Sequence, residues 1–193
     1  QASDFSDDLT ARRARLMERL GPDSVPILHS APTRVYSNDV DYEYHQDSNL
    51  YYLTGITQDD TILVLMPGNV SRREILFIKD RNPEREHWTG HLLSREDARE
   101  RTGIGTVLSA SAFGAFIGAI LSRANYGSMF DGKETAAFST ALEGGRARLA
   151  LAMAPTGPDE PPTPTQTLLK TLRDRYVGYV PIDVTPALNT MRM

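Results

Sequence analysis

The sequence contains no cysteine in its 193 residues. This absence excludes a disulfide scaffold, a thiolate zinc site and a cysteine nucleophile. Stability must therefore come from a hydrophobic core, and a chain of this length can bury about 70% of the surface that its unfolded form exposes. With 40% hydrophobic and 24% charged residues, the composition is that of an ordinary folded domain. We expect one compact domain over residues 1–193.

Long hydrophobic runs and basic surfaces are also missing. The most apolar stretch, residues 110–121, contains serine and glycine and is shorter than the about 20 residues that a helix needs to cross a bilayer. The net charge is −4, whereas binding to phosphate backbones needs a clustered basic face. We therefore expect no membrane or nucleic-acid partner. One basic run is mixed with acidic residues and predicts a solvated helix face: Arg12, Arg13, Arg15 and Arg19.

Three common catalytic or nucleotide-binding motifs are absent. The sequence has no Gly-x-Ser-x-Gly elbow, no phosphate-binding loop of the Gly-x-x-x-x-Gly-Lys-Ser/Thr type and no Gly-x-Gly-x-x-Gly. The pairs Gly103/Gly105 and Gly144/Gly145 are turn signals only. No catalytic residue is predicted from these patterns.

An acid or a histidine stands at every second position of one segment: Asp39, Asp41, Glu43, His45 and Asp47. On a strand these side chains would share one face, about 7 Å apart, and two of them could hold one divalent cation. The alternative is the polar face of an edge strand whose other face packs tyrosines. Because no loop of the calcium-binding type surrounds these acids, the edge-strand interpretation is favoured.

A second candidate metal pattern is the pair His87 and His91, which would share one face of a helix. The segment lacks the glutamate that follows the first histidine in the metalloprotease motif, and Gly90 weakens a helix at this point. No zinc site is predicted here. The only tryptophan, Trp88, lies between the histidines and is by itself more typical of a packing anchor than of a recognition element.

Hydrophobic periodicity predicts helices and strands in alternation. The predicted helices cover residues 4–20, 94–103, 112–124 and 165–176. The predicted strands cover residues 61–66, 74–78, 106–109, 126–130 and 179–184, and residues 25–29 form a short apolar run before Pro32. Such alternation implies a layered α/β fold with a mixed β-sheet flanked by helices.

Several boundaries of these elements have specific signals. The turn at 67–69 predicts a hairpin over residues 61–78, placed at an edge of the sheet, and its first strand is apolar enough to be covered on both faces. Asp47 and Gly55 are the predicted caps of a short helix between them. Residues 154–164 carry five prolines and one glycine, which is loop composition.

Two segments carry a resemblance to a known family. Residues 42–55 read Tyr-Glu-Tyr-His-Gln-Asp-Ser-Asn-Leu-Tyr-Tyr-Leu-Thr-Gly, and residues 81–90 read Arg-Asn-Pro-Glu-Arg-Glu-His-Trp-Thr-Gly. Together with the opening helix and residues 37–40, they resemble the amino-terminal domain of Xaa-Pro aminopeptidases. These enzymes belong to the creatinase, prolidase and aminopeptidase P group of metallopeptidases.

The resemblance implies a mixed-sheet domain of ribonuclease H-like layout that precedes a pita-bread catalytic domain. That second domain would hold two divalent metals, usually manganese, so no cofactor or metal is expected in residues 1–193. Residues 183–193 resemble the helix that leads into the catalytic domain, which we expect to be absent from this chain. The chain by itself is then expected to hydrolyse nothing.

The resemblance also implies what such a domain does. In the family it supplies oligomer contacts and part of the wall that restricts access to the active site, often that of a neighbouring subunit. By motif match, Asp39 and Trp88 are the substrate-access residues. The carboxylate would favour the protonated amino group of a substrate, and the indole would offer a flat apolar surface to a proline-containing peptide.

The expected function is therefore that of a non-catalytic domain of a manganese-dependent Xaa-Pro aminopeptidase. Its expected partners are its own catalytic domain, neighbouring subunits and, in the parent enzyme, Xaa-Pro peptides. Two alternatives stay open: the same domain of a prolidase or creatinase, or a stand-alone domain that binds a peptide or protein through an exposed apolar surface. Family membership favours the cytoplasm, and export stays open because the first residue is Gln1.

Overall fold

The structure, a computed structural model, describes residues 2–33, 35–37, 40–41, 44–81, 92–155 and 157–193, with the backbone alone at 2–3, 35–37 and 40–41. The described helices are α1 (Ala2–Leu20), α2 (Ser48–Thr54), α3 (Arg95–Thr102), α4 (Phe113–Leu121), α5 (Ala136–Glu143), α6 (Pro164–Arg173) and α7 (Thr185–Arg192). The described strands are β1 (Ser24–His29), β2 (Val35–Ser37), β3 (Val40–Asp41), β4 (Ile62–Leu65), β5 (Glu74–Ile78), β6 (Thr106–Ser109), β7 (Ala147–Leu151) and β8 (Tyr179–Asp183).

Six of these strands form one mixed sheet in the order β6-β5-β4-β1-β7-β8, and β2 pairs with β3 separately. Strand β4 is antiparallel to both of its neighbours, whereas the other pairs are parallel. Five strands therefore finish at the same end of the sheet, where β4 begins. We call this the carboxyl end of the sheet. The predicted α/β fold with a mixed sheet is confirmed.

Helices cover both faces of the sheet. One core lies under α4, α5 and α6, and the other lies under α1, α2, α3 and α7. Along β4, Val64 faces the first core while Leu63 and Leu65 face the second, and all three are fully buried. The prediction that this strand is covered on both faces is confirmed. Among the described helices, none is both long and apolar enough to cross a bilayer.

The predicted caps are also confirmed. The carboxylate of Asp47 accepts hydrogen bonds from two backbone N–H groups at the start of α2, and Gly55 ends that helix in the left-handed conformation. Ser94 and Asp97 form a capping box at the start of α3, which ends at the left-handed Gly103. Both of these helices are thus bounded by residues whose chemistry satisfies free backbone groups at the helix ends.

The predicted position of the hairpin was wrong. Strands β4 and β5 do form an antiparallel hairpin, but β1 and β6 pair with its outer sides, so that the hairpin is central in the sheet. The buried carboxylate of Glu134 holds the turn of this hairpin by accepting bonds from the backbone N–H groups of Ser71 and Arg72. Burial acts to raise the pKa of Glu134, but these N–H groups outweigh it and the net pKa is lowered.

The prediction for residues 126–130 was wrong as well. Instead of a strand, Tyr126 and Phe130 bridge to each other across a turn in which Gly127 has φ +58°. The sequence reasoning also missed α5 and β7. Strand β7 is central, because it pairs with β1 on one side and β8 on the other.

Arg13 contradicts the predicted solvated face of α1. Its side chain is completely buried, although Arg15 and Arg19 are exposed as predicted. The guanidinium donates to Leu53 O at 2.9 Å and to Thr102 O at 2.8 Å, near the carboxyl ends of α2 and α3. It also pairs with Glu74 of β5 at 3.0 Å. The carboxyl ends of helices carry partial negative charge, so one buried cation can join α2, α3 and β5.

Candidate functional site at the carboxyl end of the sheet

The two predicted substrate-access residues, Asp39 and Trp88, lie outside the described residues. The chain on either side of them is described. Residues 30–33 follow β1 and lead towards Asp39, and residues 79–81 follow β5 and lead towards Trp88. Because β1 and β5 are parallel, with only β4 between them, both flanks leave from the carboxyl end of the sheet.

Gln46 connects several parts of this end of the sheet. Its Oε1 accepts hydrogen bonds from the backbone N–H groups of Ala31 at 3.1 Å and Asp47 at 2.8 Å. The hydroxyl of Tyr44 lies 2.9 Å from the same oxygen and 3.1 Å from Ala31 O, so that its one proton is shared. Gln46 Nε2 donates to Gln58 O at 2.8 Å. This side chain therefore joins both flanks of residues 34–43 to the loop before β4.

Gln58 extends the network to the second segment. Its side-chain Oε1 accepts a hydrogen bond from the backbone N–H of Leu93 at 2.9 Å. Its backbone oxygen also accepts from the hydroxyl of the buried Thr61 at 3.0 Å, which fixes it to the start of β4. We call the side chains of Gln46 and Gln58, with the groups that they bind, the glutamine clasp. Sequence reasoning missed both residues, although Gln46 lay inside the segment that carried the resemblance.

Backbone pairing continues below the glutamine clasp. Ser30 N–H donates to Thr61 O at 2.8 Å, and Thr61 N–H donates to the hydroxyl of Ser30 at 3.2 Å. The β1–β4 pairing thus extends past the last strand residue. The glutamine clasp consequently rests on the central part of the sheet, between β1 and β4.

Charged groups surround this end of the sheet. Lys79 lies 3.4 Å from Asp59 and 3.2 Å from Asp60. Burial acts to lower the pKa of Lys79, but the hydrogen bond to Asp60 and the two negative charges outweigh it and raise the pKa. Burial raises the pKa of Tyr44, and nearby carboxylates add to this effect. At neutral pH the lysine is therefore charged and the tyrosine hydroxyl is a proton donor.

Asp80 and Arg95 form a further pair where β5 and β6 end, with 2.8 Å between their charged atoms. Hydrogen bonds from Ser109 and then from Arg95 lower the pKa of Asp80. The carboxylate consequently stays ionised and ties the end of β5 to the start of α3.

The metal interpretations stay largely untested. Within the part of the chain that the structure describes, no group of three or more His, Asp or Glu side chains could hold a metal ion. His45 is exposed, and the carboxylate of Asp47 is engaged at the start of α2. The other candidates lie outside the described residues or have only their backbone described: Asp39, Asp41, Glu43, His87 and His91.

A second feature is an open apolar groove of about 580 Å³ between α4 and α6. Phe113, Pro164 and Tyr176 are among its lining residues. His29 also lines it, with its ring 5.7 Å from that of Phe113 in an edge-on arrangement. Burial lowers the pKa of His29 to about 4, so the imidazole is neutral at pH 7. A groove of this size and lining suits an apolar ligand segment.

Comparison with known proteins identifies the family. The family model for the N-terminal domain of aminopeptidase P matches residues 9–130, which is more than half of the chain. The human Xaa-Pro aminopeptidase 3 is 38% identical over 97 residues, which make up 48% of this chain and 19% of that protein. The Xaa-Pro aminopeptidase of Escherichia coli is 32% identical over 101 residues, or 52% of this chain and 23% of the enzyme. The matched part of the chain thus spans about a fifth to a quarter of these relatives.

Solved structures agree with this result at the level of the fold. A Bacillus anthracis structure assigned to aminopeptidase P superposes with a TM-score of 0.78 at 24% identity, covering 97% of this chain and 40% of that one. Escherichia coli aminopeptidase P, solved with the inhibitor Pro-Leu, gives a TM-score of 0.67 at 20% identity and covers 97% and 38%. The chain belongs to the aminopeptidase P N-terminal domain family.

Proposed function

We propose that this domain serves a manganese-dependent Xaa-Pro aminopeptidase by restricting the access of peptides to the metal site of a separate catalytic domain. We further propose that it contributes to oligomer contacts. Family membership supports the proposal, and the names of the relatives supply the substrate class. The two metals would be held by the catalytic domain, with no ligand from residues 1–193.

The observation that carries the proposal is that the two segments carrying Asp39 and Trp88, residues 34–43 and 82–91, start from the same end of the sheet. Both flanks leave the carboxyl end of the sheet, and the glutamine clasp joins them. An aminopeptidase must admit the end of an extended peptide and exclude folded chains, and two segments that start from the same end of one sheet would do this by shape. In this arrangement Asp39 attracts the protonated amino group of the substrate, and Trp88 packs against a proline-containing peptide.

The contacts of α7 support a fixed connection to a catalytic domain placed after it. The guanidinium groups of Arg12 and Arg192 both lie over the ring of Tyr52, at 4.5 and 4.9 Å from its centre. Arg192 also donates to Ser48 O at 2.8 Å, and the fully buried Leu188 packs into the second core. A helix that is anchored at its middle and at its end leaves the domain in one direction.

A side-by-side assay tests the proposed function. This chain and a polypeptide in which it precedes an aminopeptidase P catalytic domain are given an Xaa-Pro peptide with Mn²⁺, and with a chelator as the control. We expect Mn²⁺-dependent release of the first residue by the longer polypeptide only. Hydrolysis by this chain alone would contradict the proposal and would direct attention to Asp39, Asp41, Glu43 and His45 as a metal site.

The apolar groove favours a second candidate function, a domain that binds a short apolar peptide without catalysis. Its lining by Phe113, Pro164 and Tyr176 offers flat apolar surfaces of the kind that dock proline-containing peptides. Titration of the ¹⁵N-labelled chain with such a peptide would test this function. Changes in the NMR chemical shifts of the amides of α4 and α6 would support it. If these chemical shifts do not change at millimolar peptide, this function is excluded.

A further inference from the structure

We propose that the apolar groove between α4 and α6 binds the carboxyl-terminal end of a peptide whose last residues are apolar, and that Arg175 receives the terminal carboxylate. This inference goes beyond substrate access, and it rests on the second candidate function, whose ligand class it specifies. The side chains that carry it all belong to described residues.

The groove extends along α4. At one end its lining includes His29, the last residue of β1, and Phe113, the first residue of α4. Further along α4 the lining includes Gly118, next to the hydroxyl of Tyr176, and then Arg175. From Phe113 to Gly118 the helix rises about 7.5 Å. Two extended residues span about the same length, so the last two or three residues of a peptide fit along the groove.

Arg175 determines the charge of the groove. Among the described lining residues it is the only side chain charged at neutral pH, because burial lowers the pKa of His29 to about 4 and no acid lines the groove. Arg175 is exposed, and no acidic side chain of the described ranges forms an ion pair with it. A guanidinium binds a carboxylate through two parallel hydrogen bonds. An apolar groove with one unpaired cation therefore suits an apolar ligand that carries one carboxylate.

The other end of the groove contains an unsatisfied polar atom. Nδ1 of His29 is buried, and no group of the described residues is its hydrogen-bond partner. Buried polar atoms nearly always have a partner, so one that lacks it in an apolar wall is typical of a binding site without its ligand. The backbone of a peptide offers both donors and acceptors to the imidazole. A simple apolar acid has no polar group besides its carboxylate, so this atom favours a peptide.

A glycine on α4 leaves the groove open. Gly114 lines the groove, and a Cβ built there would meet no atom within 4 Å. A larger side chain at this position would consequently occupy the groove without displacing other parts of the chain. Leucine also favours a helix more than glycine does, so Gly114→Leu should fold and block the groove.

The test uses one peptide in two forms. Acetyl-Ala-Pro-Phe is titrated into the ¹⁵N-labelled chain with either a free terminal carboxylate or a terminal carboxamide. Because its amino end is acetylated, the peptide is no aminopeptidase substrate, and the result does not depend on the access function. We expect the carboxylate form to shift the amides of α4 and α6 and the carboxamide form to bind about tenfold more weakly. Arg175→Gln should bind the two forms equally.

Two control variants match the two changes. Ala115→Leu adds the same side chain at the next, exposed position of α4, which does not line the groove. Arg173→Gln removes an exposed charge of α6 that does not line the groove either. We expect Gly114→Leu to abolish binding, whereas both controls keep the parental affinity and the preference for the carboxylate. Circular dichroism verifies that each variant is folded.

The outcomes separate this inference from the candidate function on which it rests. Equal affinity of the parent for the two forms would overturn the inference, and so would parental binding by folded Gly114→Leu. If the parent binds both forms equally and Gly114→Leu binds neither, peptide docking stands without recognition of the carboxylate. If neither form binds at millimolar concentration, both fail. An affinity for 3-phenylpropanoate equal to that for the peptide would overturn the assignment to a peptide.

Discussion

Replacement of Arg13 by methionine removes the buried cation at the junction of α1, α2, α3 and β5. Methionine keeps an unbranched apolar stem but carries no charge and no N–H donor, so the main effect is electrostatic. The change leaves the carboxylate of Glu74, whose side chain is 17% exposed, without its cation. It also leaves Leu53 O and Thr102 O without their donors.

The expected loss follows from these three unpaired groups. Removing one partner of a buried ion pair costs about 3–5 kcal/mol, because the remaining charge is left uncompensated. Two facts place the loss at the lower end of this range. Water reaches Glu74 in part, and the buried Nε of Arg13 has no hydrogen-bond partner among the described residues. We expect the free energy of unfolding to fall by about 3 kcal/mol. For a chain of this size the melting temperature then falls by about 6–12 °C.

Urea denaturation followed by circular dichroism measures this loss. Arg15→Met is the matched control, because Arg15 lies on the same helix and is exposed. The control should change stability by less than about 0.5 kcal/mol. Replacing both Arg13 and Glu74 by methionine should recover part of the loss, since no unpaired charge remains. Equal stability of Arg13→Met and Arg15→Met would refute the role assigned to the buried cation.

Three further predictions concern stability. The pKa of Glu134 is lower in the folded chain than its ordinary value of 4.5, so its carboxylate stabilises the fold above pH 4.5 and this stabilisation is lost as the pH falls below that value. The difference in unfolding free energy between the parent and Glu134→Gln, measured by urea denaturation, should therefore narrow between about pH 5 and pH 3. Gly178→Ala should cost about 2–4 kcal/mol, since its φ is +90° and a Cβ would overlap a carbonyl oxygen of α5. Gly145→Ala is the control, because φ is +65° there too but a Cβ would meet open space, and it should cost about 1 kcal/mol. Thermal unfolding measures both variants, and an equal loss of stability in the two would refute the clash at Gly178. Tyr52→Leu should lower the free energy of unfolding by about 1–2 kcal/mol and speed amide hydrogen exchange in α7, because it removes the ring that Arg12 and Arg192 contact. Tyr51→Leu, at a half-exposed site, is the control and should do neither.

Most helices and strands could be predicted because their signals are local. Asp47 and Gly55 bound α2, and Ser94 and Gly103 bound α3, through contacts within a few residues of sequence. The placement of the hairpin could not be predicted from such signals. Its central position depends on β6 pairing with β5, and that contact joins residues about 30 apart in sequence.

The candidate site was predicted by motif and not by geometry. The resemblance named Asp39 and Trp88, but the residues that join their flanks are glutamines with no distinctive spacing. The burial of Arg13 was missed for the same reason, since its partners Leu53 and Thr102 lie 40 and 89 residues away. Polar residues with distant partners resemble solvated ones in a sequence.

The most direct test of substrate access is the steady-state kinetics of Asp39→Ala and Trp88→Ala in the polypeptide that includes the catalytic domain. Short Xaa-Pro peptides are the substrates, and Arg15→Ala is the surface control. We expect kcat/KM to fall for both variants, with the control unchanged. Parental kcat/KM for both variants would contradict a role of this domain in admitting the substrate.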